Sequence, residues 1–592
     1  MFDIRLAFAE HGAERIDGQT MSYDYVIIGG GSAGCVLASR LSEKESVKVL
    51  LCEAGPDTPP DNVPAEIAAS FGSVHSDPRF HWTELRVGLH ATPHNEPQVE
   101  PPLRTYEQAR VLGGGSSING QMANRGSPRD YDEWEARGAK GWNWQSVLPY
   151  FRKLERDLDI QNEWHGASGN TAIRRIPRDK WCLHAEAVGQ ACERAGYKYL
   201  PDQNAEFDDG YFALTHSNMN ETRVTTASGY LTHKVRARPN LTLLTETVVS
   251  ALIMQGNRCV GVRIVGDRGE RELRAKEVIV SCGAIFSPAQ LLRAGIGPAA
   301  DLRELGIPVI KDLPGVGRGL MEHPGLALSS FILPGARTQD SVTGRNVQVG
   351  LRFSSGLPDT PQGDMFVTVS SRSFLSAIGR KIGSLVIFVN KTFSENGRVS
   401  LTSRDWRVPP KVSFNLLSDW RDVERLKRAF RHMAELQRSE PLCRVTRDPF
   451  PAAYSERVRK FGAKTLKNRI LMSIFARLLE GSGWLRRRLI HTFIVEGKSL
   501  DELLADDDAL EAFVRKSAFG VWHASCSCRM GSASDPMAVV DERGRVIGVD
   551  GLRVVDASIF PVIPCANTNL PTIMAAERLS DLILEDHRGR RG

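Results

Sequence analysis

Tyr23-Asp24-Tyr25-Val26-Ile27-Ile28-Gly29-Gly30-Gly31-Ser32-Ala33-Gly34 is a short apolar run that ends in glycines. It continues into Cys35-Val36-Leu37-Ala38-Ser39-Arg40-Leu41, which has helical composition. The pattern predicts a strand, a tight turn and a helix N-terminus. Gly29-x-Gly31-x-x-Gly34 has dinucleotide-binding spacing. The first glycine permits the turn, the second lets backbone approach a pyrophosphate, and the third lets helix pack on strand. Free N–H groups at the helix start would face the anion. Glycine-rich turns are common, so the follow-up matters. Val47-Lys48-Val49-Leu50-Leu51-Cys52 reads as a second strand and ends at Glu53. An acid about 20 residues on is placed to hold a ribose hydroxyl, which favours an adenosine ribose without a 2′-phosphate.

The chain has 592 residues, room for two or more domains with sizeable cores. Hydrophobic content of 41% and charged content of 25% are those of a folded globular protein. A net charge of +6 is too small to argue for nucleic acid. Ten cysteines without a C-x-x-C pair fit free thiols in a reducing, cytoplasmic setting better than a disulfide framework or a zinc site. No run approaches the ~18 apolar residues that span a bilayer. Residues 1–21 lack a long apolar core and carry Asp3, Glu10, Glu14 and Asp17, unlike a secretory signal. They read as a flexible leader, or Met21 is the start; the sequence leaves both open.

A Pro-rich loop follows Glu53 (Pro56, Pro59, Pro60, Pro64), and a second carries Pro97, Pro101 and Pro102. Next comes Arg110-Val111-Leu112-Gly113-Gly114-Gly115-Ser116-Ser117-Ile118-Asn119-Gly120, continuing into Asn124-Arg125-Gly126. A flexible linker is the competing reading, but apolar residues flank these glycines directly. A loop pressed against a ring or phosphate needs such small residues.

With the opening fingerprint, this loop resembles the glucose–methanol–choline (GMC) oxidoreductase family of flavoenzymes. The resemblance continues in Gly283-Ala284-Ile285-Phe286-Ser287-Pro288 and in Leu313-Pro314-Gly315-Val316-Gly317-Arg318-Gly319-Leu320-Met321-Glu322-His323. Asp130–Trp134 and Gly141–Trp144 extend it. The chain departs from the family pattern at Gly319, where asparagine is common, and at Glu322, where aspartate is common. Asp202–Phe212, Phe414–Asp419, Val521–Ser525 and Ala566–Thr572 are most similar to 5-hydroxymethylfurfural oxidase-like members.

The resemblance implies FAD, held by Gly29, Gly31, Gly34 and Glu53, and further by Gly114, Ser117, Asn119, Val249 (near adenine), Thr572, and Asp556 with the Ala557 backbone. Some members attach flavin through a histidine at the position of Ile118. Isoleucine cannot form that bond, so non-covalent FAD is expected. The resemblance also makes His523, in Val521-Trp522-His523-Ala524-Ser525-Cys526-Ser527-Cys528, face the flavin with Asn567 as partner. Oxidising an alcohol removes a hydroxyl proton and a carbon-bound hydride. The flavin takes the hydride, and a neutral imidazole suits the proton. An amide cannot take it but can hold the hydroxyl oxygen. Phe388, Val521 and Trp522 are expected to line the substrate pocket, which suits a flat primary alcohol. Cys526 stands where relatives have glycine; a tightened turn, a reactive thiol and a buried inert one are the alternatives.

The implied fold is α/β: a Rossmann-like FAD-binding domain from 22–150, 228–325 and 515–588, and a discontinuous α+β substrate domain on an antiparallel sheet from 151–227 and 326–514. Strand signals at Leu241–Leu244, Val278–Ser281, Val386–Val389 and Val399–Thr402, and a helix at Asp422–Phe430, fit it. Residues 464–494 read as one basic amphipathic helix, packed on the domain or lying on a membrane surface. The expected function is FAD-dependent oxidation of an aryl, furanyl or other apolar primary alcohol, with oxygen or a quinone-like compound as electron acceptor. The alternatives are choline oxidation, which wants an aromatic cage or carboxylate for the quaternary ammonium, a flavin-bearing hydroxynitrile lyase, and a non-catalytic dinucleotide-binding protein. No metal ligand set is expected.

Overall fold

The computed structural model describes residues 22–70, 74–90, 101–339, 343–373, 378–453, 458, 460, 465–495 and 497–589. The leader 1–21, Pro97 and Lys464 lie outside them.

The fingerprint folds as its residue types require. Ser22–Ile28 is a strand buried from Tyr23 onward, and Ser32–Leu41 is the helix behind it. The strand is apolar on both faces because both faces are covered. It runs parallel to Val49–Cys52 on one side and to Gly269–Val280 on the other. Leu241–Leu244 extends the parallel set beyond Val49–Cys52, and Leu552–Val554 extends it beyond the end of Gly269–Val280. The first half of Gly269–Val280 turns back antiparallel on Arg258–Gly266, which pairs with Val248–Gln255. Val278–Ser281, expected as a short strand, falls at the buried end of this 12-residue one, which stops at Val280. The C-terminal helix Asn569–Gly589 packs along Ser32–Leu41.

A second, eight-stranded sheet runs Thr446–Ala452, Pro324–Ile332, Ile382–Val389, Met365–Ser370, Val347–Phe353, Gly210–Ala213 and Lys198–Tyr199, with Phe519–Gly520 beside Pro324–Ile332. It is antiparallel except where Lys198–Tyr199 joins. Helix Trp420–Gln437 covers it, burying Val423, Leu426, Phe430 and Met433 on one face, and the Asp419 side chain caps its first turn. The molecule is therefore the expected mixed α/β architecture with a parallel-rich sheet and an antiparallel sheet.

Residues 464–494 correct the expectation of one helix. Leu466–Leu478 and Gly483–Phe493 are separate helices. The break falls at Gly481-Ser482-Gly483, where the Ser482 hydroxyl accepts from the Leu485 N–H and starts the second helix. Two glycines lower helical preference there and serine offers a cap.

Candidate active site

The two glycine loops meet face to face. A Cβ on Gly114 would lie 2.5 Å from the Gly31 Cα, and Gly114 has φ +53°, so glycine is required twice over. Gly31 precedes helix Ser32–Leu41 with no side-chain cap on its first turn, leaving N–H groups open to an anion. Gly34 lies beneath: its Cβ would sit 1.9 Å from the Gly29 carbonyl oxygen, so it seats helix on strand. The Glu53 carboxylate accepts from the Gly30 and Gly55 N–H groups, each at 2.8 Å. Burial raises its pKa against those hydrogen bonds. Asp556 accepts from the N–H groups of Gly283 and Ser558, each at 2.8 Å, and from the Ser287 hydroxyl. Those contacts occupy much of its capacity.

One cavity of about 690 Å³ joins these groups. Gly29, Gly31, Glu53, Gly114, Asn119 and Val249 line it, as do Asp556, Ala557 and Thr572. It continues past Ile118 to Phe388, Val521, Trp522, His523 and Asn567. Ser117 does not line it. Its hydroxyl donates to the Leu112 carbonyl at 2.8 Å, its N–H to Gly114, and the residue is wholly buried off the cavity. Its hydroxyl and N–H are both spent on shaping the loop.

His523 and Asn567, 44 residues apart, touch: Asn567 Nδ2 lies 2.9 Å from His523 Nε2. His523 Nδ1 lies 2.8 Å from His323 Nδ1. Burial lowers the His523 pKa to about 3 and that of His323 well below its ordinary value, so both rings are neutral. One tautomer leaves His523 able to act as a base, with His323 Nε2 buried without a hydrogen-bond partner. Asn567 donates to a bare Nε2, and His523 Nδ1–H donates to His323. The His523 lone pair is thus aimed at Asn567 and the cavity. The Asn567 carbonyl oxygen is buried with no hydrogen-bond partner, an acceptor waiting for a ligand. Its backbone N–H is fixed by the Asn124 side chain at 2.6 Å.

Sequence reasoning missed what stands behind the pair. Glu322 accepts from the His523 N–H at 2.8 Å, the His323 N–H at 2.9 Å and the Tyr106 hydroxyl at 2.6 Å. Burial raises its pKa to about 7 in spite of them. Glu107 accepts from the Trp522 indole N–H at 3.0 Å. That bond helps hold Trp522 at φ +62°, an unfavourable backbone for a bulky residue, directly before the histidine. Cys526 has φ +74°, which explains why glycine suits this position elsewhere. Its thiol is buried and pushed up to about 12, so of the three alternatives the inert thiol stands.

Asn124 is held in turn by a buried ion network. Its neighbour Arg125 pairs with Glu155 at 2.7 Å. His165 contacts Glu155 at 2.5 Å through Nδ1 and Asp202 at 2.7 Å through Nε2, and Arg175 pairs with Asp157 at 2.8 Å. Glu155, Asp157 and His165 have the residue types of a metal site. However, burial of His165 is outweighed by its hydrogen bonds to Asp157, Asp202 and Glu155, which push its pKa up to about 10. An imidazolium and two guanidiniums then balance three carboxylates, and the imidazolium has no lone pair to give a cation.

A dinucleotide cradle opening onto a histidine–amide pair defines a dinucleotide-dependent oxidoreductase. Known proteins make this specific. GMC oxidoreductase signatures match residues 23–325 and 393–576. The 5-(hydroxymethyl)furfural oxidase of Methylovorus sp. is 43% identical over 95% of this chain and 98% of its own. Mouse mitochondrial choline dehydrogenase is 32% identical over 95% of this chain and 89% of its own. Among solved structures, the pyridoxine 4-oxidase of Mesorbium loti superposes with TM-score 0.76 at 24% identity, covering 95% of this chain and 99% of its own. An Aspergillus oryzae formate oxidase variant superposes with TM-score 0.80 at 21% identity, covering 96% and 99%. At such identities the structures speak to fold alone. The chain belongs to the GMC oxidoreductase family. It is an FAD-dependent oxidoreductase acting on CH–OH donors, and FAD fits the uncapped helix, the paired glycine loops and the buried acid. Gly34→Ala is therefore expected to yield folded protein that is purified colourless, checked by the flavin absorbance of the preparation.

Proposed function

We propose that this enzyme oxidises a flat, apolar primary alcohol, aryl or furanyl, to its aldehyde. The contact between Asn567 and His523 carries the reading, because it sits where an apolar, partly aromatic wall of Phe388, Val521 and Trp522 closes the cavity. A substrate hydroxyl entering between them donates to the bare Nε2 of His523 and accepts from Asn567 Nδ2. His523 takes the hydroxyl proton as general base, and Asn567 holds the oxygen as negative charge develops. Bound FAD supplies the acceptor for the carbon-bound hydride. The Glu322 carboxylate, which accepts from the His523 backbone N–H, stands behind the loop that carries the imidazolium formed. The glycine loops, Glu53, Asn119, Val249, Ala557 and Thr572 hold FAD, with Ile118 leaving it non-covalent. Oxygen or a quinone-like compound takes the electrons onward. The parallel-rich sheet is the cofactor domain and the antiparallel sheet the substrate domain, in the segments given above. Ten free thiols support a cytoplasmic setting. No described helix is long and apolar enough to cross a membrane.

Choline is the second reading, favoured by Glu107, a carboxylate lining the same cavity beside Trp522. Steady-state peroxide formation with hydroxymethylfurfural, benzyl alcohol and choline separates them. The aryl and furanyl alcohols are expected to give the higher kcat/KM; choline exceeding both would reverse the assignment. Glu322 sets the pH dependence. With its pKa raised to about 7, it carries a full negative charge toward its three donors only above that pH. Rate is expected to rise with pH through about 7, and Glu322→Gln to flatten that limb in a kcat/KM–pH profile.

A further inference from the structure

We propose that the helical pair Leu466–Leu478 and Gly483–Phe493 docks this enzyme on an anionic lipid surface. The first helix is apolar on two faces. Phe475, Ala476 and Leu479 are buried against the protein. The other face carries Leu466, Ile470, Leu471, Ile474 and Leu478, all exposed, with Leu466 at 69%. Spacings of three and four place these five on one stripe. Trp484, 67% exposed, opens the second helix. A stripe this apolar is costly in water unless something covers it.

Charge selects the occupant. Residues 465–495 contain six Lys and Arg and a single acid, Glu480. Glu480 is already paired with Arg337 and Lys381, and Asp448 beneath the second helix with Arg486 and Arg487. Lys467 and Arg477 flank the stripe, and Arg487 and Arg488 are exposed beside it. An apolar face with basic flanks and an edge tryptophan matches a bilayer interface carrying negative headgroups. A second copy of the chain would bring the same positive face to itself, which like charge opposes.

The cavity reaches this side of the molecule. Ile378, Ile382, Phe450 and Ile494 line it, and the same residues pack in the cluster with Phe475, Leu479 and Ile490 that seats the pair. Docking would therefore set lipid against the elements that wall the far end of the cavity from His523. An apolar alcohol dissolved in lipid would enter there; that consequence rests on the alcohol-oxidising reading, whereas docking itself does not.

Co-sedimentation of full-length holoenzyme with vesicles is the test. Binding is expected to vesicles containing phosphatidylglycerol and not to pure phosphatidylcholine, with release at ~0.5 M salt as screening removes the attraction. The variant Ile470→Ser/Ile474→Ser should bind at least about tenfold more weakly, with unchanged turnover of a water-soluble alcohol. Arg487→Gln/Arg488→Gln should weaken binding to anionic vesicles alone. Holoenzyme left in the supernatant with anionic vesicles at low salt overturns the proposal. So does light scattering that shows a dimer which Ile470→Ser/Ile474→Ser dissociates, since the stripe would then be covered by a second copy.

Discussion

His523→Ala is expected to lower kcat for alcohol oxidation by about 10³-fold, the scale of a lost general base, while FAD stays bound. The separation of effects follows from position. The cofactor cradle is built from the glycine loops, Glu53 and the first helix, and none of these contacts the imidazole. Among the described residues the ring contacts His323, Asn567 and Phe388. Its removal therefore takes away the proton acceptor and leaves the hydride acceptor in place. Because burial keeps the ring neutral down to about pH 3, the base needs no prior deprotonation, and its own titration should not limit the wild-type rate near neutrality. Rapid-reaction measurement of flavin reduction by alcohol checks both halves. A variant that reduces flavin at the wild-type rate, or that is purified without FAD, contradicts the assignment.

The second large effect is on stability. His165→Ala is expected to cost about 3 kcal/mol, because it leaves Glu155, Asp157 and Asp202 buried with one cation too few. The sign with pH follows from the raised pKa. A group that titrates near 6.5 when unfolded and near 10 when folded contributes fully below pH 6.5 and loses its contribution as pH rises through about 10. The thermal midpoints of wild type and variant should lie furthest apart at pH 6 and converge above pH 10; a gap that widens with pH would show that His165 is neutral in the fold. Arg125 links this network to Asn124, which fixes the Asn567 backbone. The variant should therefore also slow catalysis, although His165 lines no part of the cavity.

What the sequence revealed depended on whether a residue type answered a local demand. Gly29 and Gly34 were legible because backbone geometry admits nothing else there. A Gly/Ser loop signals close packing but not which hydroxyl points outward, and that of Ser117 turns back to Leu112. His523 and Asn567 emerged only through family resemblance, since nothing local marks a histidine as catalytic. Glu322 and Tyr106 are 216 residues apart, and their bond, with its effect on the histidine loop, exists only in the fold. The break at Gly481-Ser482-Gly483 was written in the chain, where helical periodicity overshadowed it. The His165 network carried no pattern at all, because its members converge from separate strands and loops.

The most direct measurement is the absorbance of the holoenzyme near ~450 nm, a property of oxidised flavin, on anaerobic mixing with hydroxymethylfurfural or benzyl alcohol. Alcohol oxidation at the His523–Asn567 site predicts that the band bleaches and that air restores it. A band that persists with every alcohol, choline included, while a hydroxynitrile is cleaved, would contradict it and make the protein a flavin-bearing lyase.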